Sequence, residues 1–140
     1  MSELIQAIFG LYAGTSSAAI ALRAVTPGGM WLSQAPQKAA GVYIVITPVV
    51  APVSYAQGTS SAKVWTQDCD IQFTLATLSG TAADIVAATT AFQTLFDFAA
   101  LTMSGQTLLV ARRLNNQGPL RDDLTRGYMG YIEYRFMIGG

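Results

Sequence analysis

The sequence predicts an α+β fold: a mainly antiparallel sheet with one long helix and N-terminal helices packed on it, in a single domain spanning residues 1–140. Three observations lead there. Two long segments, 63–78 and 127–138, alternate apolar and polar side chains with a period of two, as strands with one buried and one solvated face do. Residues 82–99 carry apolar side chains at steps of three, four and seven, the stripe of a helix lying on a sheet. Strand patterns also come in runs instead of alternating strictly with helices, which segregates the helices to one face of the sheet.

Each element has a local reason. Residues 2–13 begin with Ser2, an N-cap residue, and the acidic Glu3 in the first turn, and Leu4, Ile5, Ile8 and Tyr12 recur at helical spacing. Gly14 closes that helix, and Thr15 or Ser16 caps a short Ala-rich one over 18–24, which stops before the turn Thr26-Pro27-Gly28-Gly29. Met30-Trp31-Leu32 reads as a short strand. Residues 42–49 are β-branched and aromatic and apolar on both faces, which predicts a central strand ending at Pro48. Residues 51–62, with Pro52, Gly58 and several Ser and Thr, read as a long loop. The segment 63–78 is the longest strand candidate, with Ile71, Phe73 and Leu75 inward and Asp68, Asp70, Gln72 and Thr74 outward.

Thr81 is the N-cap expected for the long helix, and Asp84 at its third position completes a variant of the capping box. Its stripe comprises Ile85, Ala88, Phe92, Leu95, Phe96 and Ala99. In 106–114, Leu108, Val110 and Leu114 alternate with Leu109, Ala111 and Arg113, Arg112 falling on the first face, and Asn115-Asn116-Gln117-Gly118-Pro119 reads as a turn. The last strand, 127–138, sets Tyr128, Ile132, Tyr134, Phe136 and Ile138 against Tyr131, Glu133, Arg135 and Met137, with Gly130 as the expected site of a bulge.

Composition narrows the function. There are 8 Lys+Arg, 8 Asp+Glu, one Cys and no His, and charged residues are 11% of the chain against about 25% in an average soluble domain. A balanced charge gives no footprint for sequence-specific nucleic acid. Without His, neither a Ser-His-Asp nor a Cys-His nucleophile can be built from this chain, and one Cys cannot make a zinc site of the usual kind. We therefore expect no enzyme, no catalytic residues, no metal and no cofactor. The apolar stretch 39–53 is broken by Gly41, Thr47, Pro48 and Pro52, and Glu3 stands where a signal peptide needs positive charge, so no membrane partner and no export address are expected. Cys69, in register with Ile71 and Phe73, reads as a core thiol.

Asp68 and Asp70 share a strand face, which a cation or an acid/base pair would use and which a solvated face explains equally; hard cations need more oxygen ligands. Asp122-Asp123 beside Thr125 lacks the alternating acids of a calcium loop. Trp31 and Trp65 read as packing residues. Between Arg112 and Arg126 lie six of the sixteen charges. Either this is a solvated hairpin tip, or a charge-poor protein concentrates its ion-pairing groups where a neighbouring subunit docks.

The order of motifs resembles the tail terminator, or tail completion, proteins of long-tailed bacteriophages, the head-tail joining family. The resemblance rests on Leu11-Tyr12 followed by a short Ala-rich helix, on Trp31-Leu32-Ser33-Gln34-Ala35-Pro36-Gln37 leading into Tyr43-Ile44-Val45-Ile46, on Asp70-Ile71-Gln72-Phe73 before the long helix, and on the closing Gly130-Tyr131-Ile132-Glu133-Tyr134-Arg135-Phe136. It covers almost the whole chain. It implies a six-fold ring that caps the tail tube, ends its polymerisation and presents a face to the head. The implied partners are further copies of the chain, the tail tube protein and the head connector protein. The implied location is the head-proximal end of the virion tail, after assembly in the bacterial host cytoplasm. In a ring of this shape the segments 51–62 and 115–126 would reach neighbours or the tube, making Tyr55, Gln57, Lys63, Arg112, Arg113, Arg121, Asp122, Asp123 and Arg126 the candidate contact residues. Another tail or connector component of related fold is the near alternative. A small-molecule binding module with a pocket lined by Phe73, Phe92, Phe96 and Tyr134, and a carboxylate hydrolase using Asp68 and Asp70, are the alternatives of other classes.

Overall fold

A computed structural model describes residues 2–35, 40–48, 53–57, 64–101, 103, 107–121 and 127–139, by backbone alone at 2, 53–57, 64–67, 107 and 109. Helix α1 (Ser2–Tyr12) buries Leu4, Ile5, Ile8 and Tyr12 as its spacing predicts. Helix α2 (Ser17–Val25) follows after an 85° bend, its first turn capped by Ser16 Oγ, which accepts from Ala19 N–H at 3.2 Å. Arg23 donates to the carbonyls of Tyr12 and Gly14, both at 2.6 Å, occupying acceptors that the end of α1 leaves open. Thr26 Oγ1 gives its proton to the Leu22 carbonyl, so the Tyr12 hydroxyl is the donor in their 2.9 Å contact. No single helix among the described residues is long and apolar enough to cross a membrane.

The strands are β1 (Met30–Leu32), β2 (Tyr43–Pro48), β3 (Val53–Gln57), β4 (Val64–Thr77), β5 (Thr107–Arg121) and β6 (Tyr128–Gly139). They form one sheet in the order β1-β2-β4-β6-β5, with β3 pairing the first residues of β4 beside β2. All pairs are antiparallel except β1 with β2. Helix α3 (Ala82–Phe96) opens with Asp84 accepting the Thr81 N–H at 2.9 Å. Its stripe Ile85, Ala88, Phe92, Leu95 and Phe96 is buried. The three helices share one core with Cys69, Ile71, Phe73 and Leu75 of β4 and Ile132, Tyr134, Phe136 and Ile138 of β6. Burial also pushes the Cys69 thiol up from its ordinary value, as befits a core thiol. The other sheet face, with Asp70, Gln72, Thr74, Tyr131, Glu133 and Arg135, carries no helix among the described residues.

Four expectations are corrected. Residues 53–57 are a strand, not part of a loop: β4 extends past the end of β2, and its residues 64–68 supply the partner backbone that a Ser/Gly-rich context hides. The turn expected at 115–119 is strand, and β5, at 15 residues, outruns the 14 of β4. Fifteen residues of β5 face twelve of β6, and the three extra are absorbed at three register shifts. The first of these, between Leu108 and Val110, reverses the alternation, so that Ala111 opposite Phe136 turns to the core while Leu108 opposite Ile138 also packs against it. The bulge expected at Gly130 is therefore not in β6, which stays in unbroken register with β4; the extra residue is in β5, between Gln117 and Leu120. Finally, the long helix stops at Phe96 instead of near Ala99, because Phe98 takes a left-handed φ of 55° and its N–H turns to the Ala111 carbonyl at 3.3 Å.

β5 is an outer strand, exposed from Arg112 to Arg121. Its register shifts and Pro119 interrupt the row of free backbone groups that would otherwise template another strand. Gln57 of β3 pairs with Val64 at one end of β4, and Arg121 of β5 pairs with Tyr128, itself opposite Thr77, at the other. Thirteen residues separate Val64 from Thr77, about 42 Å of strand.

Candidate functional site

Of the nine candidate contact residues, the five among the described residues do not fall at one place. Tyr55 and Gln57 sit on β3, opposite Thr66 and Val64, at one end of the sheet. Arg121 closes β5 at the other end, opposite Tyr128, and is exposed. Arg112 lies opposite Arg135, seven residues of β6 or about 23 Å from Tyr128, and Arg113 follows opposite Tyr134. Lys63, Asp122, Asp123, Thr125 and Arg126 lie outside the described residues. An extended strand separates Arg112 and Arg113 from Arg121, so the described part of the charged segment is spread along an edge.

On the open face Arg135 grips Asp70 across β4 and β6 with two parallel hydrogen bonds, Nε to Oδ1 at 2.8 Å and Nη2 to Oδ2 at 3.0 Å. The Asp70 side chain is only 13% exposed. This geometry removes Asp70 from any paired-carboxylate chemistry with Asp68, since both its oxygens are held by a guanidinium. The same carboxylate offsets the repulsion of Arg112 against Arg135 directly across from it. Among the described residues no three His, Cys, Asp or Glu side chains converge on a metal-sized site.

On the helix face the end of α3 is tied to the sheet. The buried Tyr134 hydroxyl donates to Asp97 Oδ1 at 2.6 Å, and Arg113 approaches Asp97 Oδ2 at 3.6 Å. Burial first, then the hydrogen bond to Asp97 and its charge, raise the Tyr134 phenol above its ordinary value. A phenol that ionises less readily when folded adds stability that is complete below about pH 10 and fades as pH rises beyond it. Denaturation midpoints of the native protein should therefore fall above about pH 10, and Tyr134→Phe should flatten that fall while costing about 1.5–3 kcal/mol near neutrality. Equal pH profiles for the two proteins would dissociate the hydroxyl from the stability.

The four rings suggested as the lining of a pocket fill the space themselves. Phe92 stacks on Phe96 at 4.3 Å between centroids and tilts against Phe73 at 4.6 Å, while Tyr134 meets Phe73 edge-on at 5.9 Å. All four are fully buried, so this cluster is core and not a ligand cavity. The clefts lie elsewhere. One of about 340 Å³ opens where the end of α2 meets the start of α3, beside Val25, Val42 and Asp84. Another of about 380 Å³ lies between α1 and Ala100-Leu101.

Phe98 and Asp97 are the candidates missed in sequence. Phe98 is 81% exposed and the most exposed of the large apolar side chains among the described residues. A bulky residue at φ 55° costs of order 1–3 kcal/mol. Helical periodicity extended to Ala99 places Phe98 inside a helix, and no local signal marks it as a projection.

With this geometry in hand, the chain can be set beside known proteins. No family model and no curated protein matches it. Among solved structures, a chain from the virion of a native gene transfer agent particle superimposes with a TM-score of 0.73 over 99% of this chain and 96% of that one, at 17% identity. The chain shares its fold with part of a virion. The likeness takes in the N-terminal helices, the sheet and α3 together, since almost nothing of either chain is left over.

Proposed function

We propose that this chain is a phage structural protein, the tail terminator: a subunit that forms a ring, six-fold as the family resemblance implies, caps the tail tube, ends its polymerisation and offers the face to which the head connector joins. The observation that carries the reading is the end-to-end fold likeness to a virion chain. The motif order of residues 11–136 supplies the narrower station at the head-proximal end of the tail. A ring requires a heterologous contact, in which two different surfaces of each copy meet. This chain has separate surfaces to offer, with β3 and the start of β4 at one end of the sheet, Arg121 at the other and a charged outer strand between them. Partners on this reading are further copies of the chain, the tail tube protein and the head connector protein.

The deciding experiment is electron microscopy of lysates from infections lacking the protein. Overlong or headless tails are expected, and tails of normal length joined to heads would end the proposal. Contact through the β5–β6 hairpin predicts in addition that reversing charge at Arg121 and Arg126 weakens self-association or tail joining by at least about tenfold with the fold intact, as loss of an interfacial charge pair does. Native mass spectrometry and complementation read both effects.

A further inference from the structure

We infer that copies of this chain join head to tail through Phe98: the ring of one copy enters the cleft between α2 and the start of α3 on the next. The inference rests on the ring reading and names its contact surfaces. Phe98 follows the C-terminal end of α3, and the cleft lies at the N-terminal end, about 22 Å away along the helix. Projection and receptor at opposite ends of one element are different surfaces: mutual exchange between two copies would close a two-fold dimer, whereas the successive insertion that a ring needs makes the contact heterologous.

Size and charge both match. The cleft measures about 340 Å³ and is lined by Ala24, Val25, Val42, Thr77, Asp84 and Ala87 among others. An apolar cavity of about 150 Å³ already accepts a benzene-sized ring. Arg113 stands beside the projection, 3.6 Å from Asp97 and partly exposed, and the exposed Asp84 carboxylate stands at the cleft. Docking Phe98 brings this cation to that carboxylate, which orients the second copy. The broken backbone row of β5 disfavours sheet extension at that edge, the one nearest Phe98 through its contact with Ala111. The second cleft, beside Ala7, Gly10 and Leu11, offers no acidic side chain to Arg113 and lies near the same end of α3 as Phe98.

Three variants test this by native mass spectrometry and sedimentation of the purified full chain. Phe98→Gly keeps the left-handed backbone and removes the ring; Phe98→Asp adds charge in its place; Ala87→Trp fills the cleft from an exposed helix position. Melting temperature and circular dichroism report the fold. Each variant alone should lose at least about 30-fold in self-association, as for a buried aromatic anchor. An equimolar mixture of Phe98→Asp and Ala87→Trp should form one-to-one dimers and nothing larger, because only one productive contact remains. Normal rings from folded Phe98→Gly and Phe98→Asp would overturn the inference and leave the ring reading standing. A native chain that stays monomeric with and without tail tubes would overturn both. A native dimer that these same variants abolish would mean mutual insertion across a two-fold axis and overturn the head-to-tail assignment.

Discussion

Phe92→Ala should cost about 3–5 kcal/mol, about a fifth or more of the stability of an ordinary domain. Phe92 is fully buried from α3 against three other rings, stacked on Phe96 at 4.3 Å, 4.6 Å from Phe73 and 5.8 Å from Tyr134. Its removal takes away transfer free energy and also leaves a void. The walls of that void are themselves bulky rings held by two strands and a helix, so they close only partly. Guanidinium unfolding should show a lower midpoint with an unchanged slope. A loss below about 1 kcal/mol would show that the cluster relaxes into the gap and that α3 is not anchored there.

Gly118→Ala is the second large effect, of about 2–5 kcal/mol, combining backbone strain with overpacking. Gly118 has a φ of 118°, which side chains rarely adopt. A Cβ there would stand 2.7 Å from the Gly130 Cα and 3.0 Å from the Met129 carbonyl, both backbone atoms of β6 that cannot swing aside. Two glycines thus face each other where β5 takes up its extra residue. Urea denaturation measures the loss, and hydrogen exchange should locate it along β5 and β6. A midpoint equal to that of the native chain would mean that the strands do not approach so closely.

The stripe from Ile85 to Phe96 and the alternation Cys69, Ile71, Phe73, Leu75 predicted buried faces that the structure fills. Those signals are local: a helix or a half-buried strand imposes its own period on its own side chains. β3 was hidden because Val53–Gln57 takes its backbone partners from β4, and its neighbours Pro52 and Gly58 speak for a loop. The same holds in β5, where one inserted residue against β6 exchanges the faces of everything beyond it.

For the candidate site the division is sharper. Arg112, Arg113 and Arg121 were legible as concentrated charge, but their separation along β5 and the approach of Arg113 to Asp97 were not. The pairing of Asp70 with Arg135 joins residues 65 positions apart, and only the register of β4 with β6 brings them together. Phe98 has the composition of a core residue and the position of a projection, because the turn after α3 points it outward.

By itself, then, the sequence determined the class of fold, the helix and strand faces that become core, and the poverty of proton-transfer groups. Periodicity and composition are properties of neighbouring residues and need no knowledge of the rest of the chain. Tertiary structure alone decided strand order, the bulges of β5, the dispersal of the arginines and the exposure of Phe98. Each of these depends on which distant backbone supplies a partner, and an isolated segment carries no record of that choice.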